Sequence, residues 1–160
     1  MHELLIDASN ELADVEVECS KLVEALALIQ SKPDMFSDTM GWLAMQGVAS
    51  AIEKIYGGCE RTLELLAKQI DRFPIDKTGS WHRSLVLRMT HAFGDVRPAV
   101  LSSASEEALN TLRAFRHRER NSYGSTLDFG RVLELAEEAI LVPGLLQADL
   151  AKLSVYLQSK

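Results

Sequence analysis

The chain is short of the residues that build metal and redox sites. It has two cysteines, Cys19 and Cys59, far apart in sequence, and four histidines with no CxxC, HxxxH or HExxH spacing. No metal site is therefore expected, and the two thiols read as reduced core residues of a cytoplasmic protein. Four prolines in 160 residues leave few forced breaks in a helix. No uninterrupted run of ~18 apolar residues is present, so no membrane span is expected. The opening "MHELLIDASNELADVE" is acidic and amphipathic, unlike a secretory signal. No glycine-rich loop follows a strand, which argues against binding nucleotide as a kinase or NTPase does, and no cofactor is implied. Positive charge is also scarce. Seventeen Lys and Arg against 23 Asp and Glu give a net charge of −6, which argues against a protein that coats nucleic acid over its whole surface but leaves room for a local basic patch.

What is present is helical periodicity. Hydrophobic residues make up 47% of the chain and charged residues 25%, the balance of a folded protein. From residue 3 to 31, Leu5, Leu12, Val15, Cys19, Leu22, Leu26 and Ile29 recur at helical spacing. "SKPDMFSD" breaks that helix, and Ser37 or Asp38 can cap the next. The second stripe is Trp42, Met45, Ala49, Ile52, Tyr56, Cys59, Leu63, Leu66 and Ile70. Gly57-Gly58 in its middle weakens it by roughly 1 kcal/mol per glycine and predicts a kink there or the close approach of another backbone. A third helix is expected from Ser80 to Phe93. The spacing of Ser103 and Glu106 is that of a capping box, which starts a fourth helix near Ser105 that buries Leu109, Leu112 and Phe115 and ends at Gly124. Asp128 caps a fifth with Val132, Leu135, Ala139 and Val142, and Pro143-Gly144 kinks or splits it. No strand, repeat or low-complexity segment is visible. The expectation is an all-α antiparallel bundle of about five helices.

The fourth helix changes character at residue 116. Arg116-His117-Arg118-Glu119-Arg120-Asn121-Ser122 is seven polar residues in a row, and between Arg113 and Arg120 four arginines face one glutamate. Helical spacing lets Arg113, Arg116, His117, Arg120 and Asn121 share a strip, with Tyr123 nearby two turns on. Arginine forks match phosphate oxygens, and histidine moves protons near neutral pH. Metal-free RNA cleavage needs little more than proton transfer and positive charge at the phosphorane. The plain alternative is a solvated helix end in a helical adaptor unrelated to RNA.

This stretch resembles the HEPN superfamily, in particular the HepT-like ribonuclease toxins, whose motif is an arginine, a polar residue, three variable residues and a histidine, then a tyrosine one residue further. Arg116, His117 and Tyr123 match. The flanks "GSWHRSLVLRMTHAFGDVRPAVLSS" and "LDFGRVLEL" are similar too, and the similarity runs from roughly residue 42 to 140. The resemblance implies one helical domain over residues 1–160, a homodimer with the motif helices facing across a cleft, and a metal-independent endoribonuclease of RNA, possibly including tRNA. It also implies a nucleotidyltransferase antitoxin of the MNT type that transfers AMP to the tyrosine, here Tyr123. The departure is Asn121, which stands where the motif has its histidine. Asparagine does no acid–base chemistry near pH 7, and losing such a group typically costs ~10²–10⁴ in rate. Three accounts stay open: a branch that binds RNA or its partner without cutting, use of His117 instead, or an engineered inactivation.

Other residues are weighed less heavily. Trp81-His82-Arg83 is weighed towards a structural role: Trp81 is expected to pack, and for contact with RNA or a partner Arg83 is favoured over His82. Arg97 is open between a structural and a binding role. His91 lies near a helix end, where its partial charge is favourable, and is not expected to be catalytic.

Overall fold

The computed structural model describes residues 2–121 and 128–160. Six α-helices and no strand occur among them: α1 (Ile6–Ser31), α2 (Asp38–Gln69), α3 (Trp81–Met89), α4 (Ser103–Asn121), α5 (Phe129–Ala139) and α6 (Val142–Gln158). The all-α bundle expected from periodicity is what forms. Buried apolar side chains from all six helices join one cluster.

α1 and α2 form an antiparallel hairpin. The cross-links run in opposite order along the two helices: Gln69 to Asp7 at 2.6 Å, Arg61 to Glu11 at 2.6 Å and Lys54 to Glu18 at 3.3 Å. Such surface pairs contribute little stability; the buried stripe from Leu12 to Ile29 against that from Met45 to Leu66 holds the hairpin. α2 is one unbroken helix through Gly57-Gly58. A Cβ on Gly58 would fall on Val15 Cγ2 of α1, so the close approach is by a neighbouring side chain rather than by backbone. Trp42, expected in the apolar stripe, is 56% exposed. The buried face begins instead with Gly41 and Met45, because Gly41 packs on the backbone of the preceding 3-10 turn, Pro33–Phe36, with no room for a side chain. Ser37 takes the N-cap position of α2, yet its hydroxyl donates back to the Asp34 carbonyl at 3.2 Å and does not cap the helix.

α3 ends four residues earlier than the periodicity suggests. The reason is Arg97, which is buried at 1% exposure. Its guanidinium grips Asp71 through two bonds, 2.6 and 2.9 Å, and donates to the carbonyls of His91 at 2.9 Å and Pro98 at 3.1 Å. It takes up chain at the end of α3 as a cationic C-cap does. Arg97 is thus structural, which settles its two readings. His91 Nδ1 lies 2.9 Å from the Leu87 carbonyl at the same helix end.

α4 begins at Ser103, and its cap is Ser102 rather than Ser103. The Ser102 hydroxyl accepts from the Ser105 N–H at 3.3 Å. Buried Asp149 of α6 accepts from the Ser102 N–H, the Ser102 hydroxyl and the Ser105 hydroxyl at 2.9, 3.1 and 2.6 Å. A carboxylate at a helix N-terminus is favourable by electrostatics as well. Asp128 caps α5 through the Arg131 N–H at 2.9 Å, as expected. The fifth helix splits at residues 140–141, with Pro143 in the first turn of α6, where its missing N–H costs nothing.

Phe129–Gln158 is long and apolar enough, by length and composition alone, to cross a membrane, with a mean hydropathy of 1.4 over an 18-residue window. The count of uninterrupted apolar residues misses this because polar residues are thinly interspersed. The stretch is broken between α5 and α6 in this fold, and Val132, Leu135, Ala139, Leu146, Leu150 and Leu153 are spent on the bundle core.

Candidate functional site

The half of α4 beyond its buried stripe runs past the middle of α2 and the start of α3. Leu109, Leu112 and Phe115 fix its rotation by facing the core. Residues 113, 116 and 117 then fall on the strip beside that face. A cavity of about 450 Å³ opens there. Its wall carries Arg113, Arg116 and His117 from α4, His82 and Arg83 from α3, and Tyr56 from α2. Three arginines and two histidines therefore share one concave surface, with no acidic residue on its wall among the described residues.

Beneath the wall lies one carboxylate. Glu60 is 6% exposed on α2 and holds three groups. Its Oε1 accepts from the Tyr56 hydroxyl at 2.9 Å and is bonded to His82 Nδ1; its Oε2 accepts from Arg116 at 3.2 Å. A buried carboxylate is stable only when satisfied in this way. Arg116 also stacks over the Tyr56 ring, 5.6 Å from guanidinium carbon to ring centroid. Two independent contacts thus aim one guanidinium. Burial first, and then the Glu60 charge, push the Tyr56 hydroxyl far above the ordinary phenol range. Tyr56 is a fixed donor at neutral pH, neither a base nor a nucleophile.

Two contacts hold His82: Nδ1 is bonded to Glu60, and the ring stacks on Trp81 with centroids 3.8 Å apart. Lys77 lies over the Trp81 ring, 4.8 Å from its centroid. Arg113 bonds Asn110 at 3.3 Å. His117 and Arg118 are exposed.

Of the residues singled out from the sequence, Arg83, Arg113, Arg116 and His117 come together around the cavity. The backbone of Arg120 and Asn121 is helical, but their side chains lie outside the described residues, and so does Tyr123 together with Ser122 and Gly124. Sequence reasoning missed Glu60 and Tyr56. A signal for Glu60 was present: it stands four residues after Tyr56 and three before Leu63, a charged residue on the apolar face. Its partners lie 22 and 56 residues away, and no local pattern reveals them.

A comparison with curated proteins and one with solved structures each gave no match. The model of one protein family, described as HepT-like protein, matches residues 47–157. The match begins inside α2 and runs through α6, beyond the region in which the motif flanks were recognisable.

Proposed function

Because the chain belongs to the family of HepT-like proteins, we propose that the cationic cavity binds RNA and that the protein cuts it there without a metal. The observation that carries this reading is the anchoring of Arg116. A guanidinium fixed by Glu60 and Tyr56 into a cavity shared with Arg83, Arg113 and His117 suits a phosphodiester. Arg116 stabilises the charge that develops on phosphorus, and His117 transfers a proton. Arg83 and Arg113 hold neighbouring phosphates.

The context belongs to the same proposal. The protein acts in the cytoplasm as the toxin of a toxin–antitoxin pair. It pairs with a second copy so that two α4 helices face one cleft. A nucleotidyltransferase antitoxin silences it by moving AMP from ATP to Tyr123. A second reading rests on Asn121: a degenerate dimer that binds RNA or the nucleotidyltransferase and does not cut.

RNA cleavage in EDTA separates the two. The chain as it stands is expected to cut, and Arg116→Ala to lose at least ~10²-fold, the range for removing one such charge-stabilising donor. Cleavage by Asn121→His alone supports the degenerate reading. A chain whose cleavage Arg116→Ala leaves intact contradicts the proposal.

A further inference from the structure

We propose that His82, oriented by Glu60, is the second proton-transfer group of this cavity and supplies the acid–base function that Asn121 lacks. The assignment rests on the ribonuclease reading above and goes beyond it by naming a residue outside the α4 motif.

Geometry carries it. Glu60 is buried and already accepts from Tyr56 and Arg116. An ionised carboxylate has no proton to give, so His82 Nδ1 carries the hydrogen in that bond. Whenever the ring is neutral, the Nε2 lone pair then lies on its far side. Nε2 has no hydrogen-bond partner among the described residues. The ring is on the cavity wall and its side chain is 31% exposed, open enough to meet a substrate. Stacking on Trp81 removes its freedom to swing away. A carboxylate behind a histidine orients the ring and stabilises its charged form, the arrangement that makes an effective general base.

The step balances with two histidines on one wall. His82 Nε2 takes the proton of a ribose 2′-hydroxyl. The 2′-oxygen forms a bond to phosphorus, and the bond from phosphorus to the 5′-oxygen breaks. Protonated His117 gives its proton to that 5′-oxygen. The products are a 2′,3′-cyclic phosphate and a 5′-hydroxyl, with no oxidant and no metal, and solvent returns the two histidines to their starting forms. Glu60 is a positioning residue in this scheme. The charged and titratable groups around His82 are Glu60 and Tyr56 on α2, Lys77 before α3, Arg83 beside it, and Arg113, Arg116 and His117 on α4.

The test measures single-turnover RNA cleavage in EDTA across pH 5–9 for the unaltered chain, His82→Ala, His82→Ala with added imidazole, and Glu60→Gln, with Tm read on each sample. His82→Ala is expected to lose ~10²–10⁴ in rate while still binding RNA, and imidazole to restore part of it, which a structural role for His82 does not allow. Glu60→Gln removes the charge behind the ring, so the acidic limb of its rate profile is expected at lower pH. Full cleavage by a folded His82→Ala, or an unmoved acidic limb in Glu60→Gln, overturns the assignment and leaves the ribonuclease reading standing. No cleavage by the unaltered chain overturns both.

Discussion

Arg97 and Glu60 are two charged residues that the core accepts on different terms. Arg97 is fully satisfied by Asp71 and by backbone carbonyls, and its work is to close the turn after α3. Arg97→Ala leaves Asp71 charged and buried without a partner, which costs about 3–5 kcal/mol. Urea unfolding reads that loss, and Arg97→Met combined with Asp71→Leu is expected to recover most of it, because removing both charges removes the unpaired one. Glu60 is satisfied by groups that themselves face a cavity. From its buried position it orients Arg116 and His82.

At the scale of elements, the glycine pair in α2 offers a direct check. Gly58→Ala drives a methyl onto Val15 Cγ2 and is expected to destabilise by about 1–3 kcal/mol through overpacking. Gly57→Ala meets only ordinary contact with Arg61 and is expected to stabilise by up to ~1 kcal/mol. Equal Tm changes for the two variants contradict this packing. The same helices show what the sequence makes legible. Leu12, Val15, Cys19, Leu22, Leu26 and Ile29 are all buried as spaced, because one long helix against another buries every third or fourth residue. The end of α3 was not legible, since Arg97 lies eight residues beyond it and acts through a tertiary bond to Asp71. The cap of α4 was misassigned by one residue because Asp149, 47 positions away, selects Ser102. At the site, the motif arginines and His117 were readable from local spacing. The support beneath them was not, because it comes from a different helix.

The whole molecule carries its buried thiols and phenol as a weakness at high pH. Burial, with Glu16 and Glu18 adding to it, pushes the Cys19 thiol from 9.0 up to about 11. Burial likewise raises Cys59 and Tyr56 well above their ordinary values. In each case the folded chain keeps a proton that the unfolded chain releases. The stability they contribute is complete below pH ~9 and is lost as pH rises from there through the folded values. Urea midpoints are therefore expected to hold steady from pH 7 to 8 and to fall between pH 9 and 11, with Cys19→Ala flattening part of the decline. A midpoint that stays level to pH 11 contradicts this.

Ionic strength acts unevenly on the cavity. In 1 M salt the screening length shrinks to about 3 Å, so under the proposed function exposed Arg83 is expected to lose its hold on a phosphate. The Glu60–Arg116 pair, at 3.2 Å with its carboxylate out of water, is screened much less because it is buried. Glu60 and Arg116 thus brace the cavity wall with a charge pair of its own. Salt that weakens phosphate binding there is expected to leave the wall standing, and dilution to restore binding without any refolding.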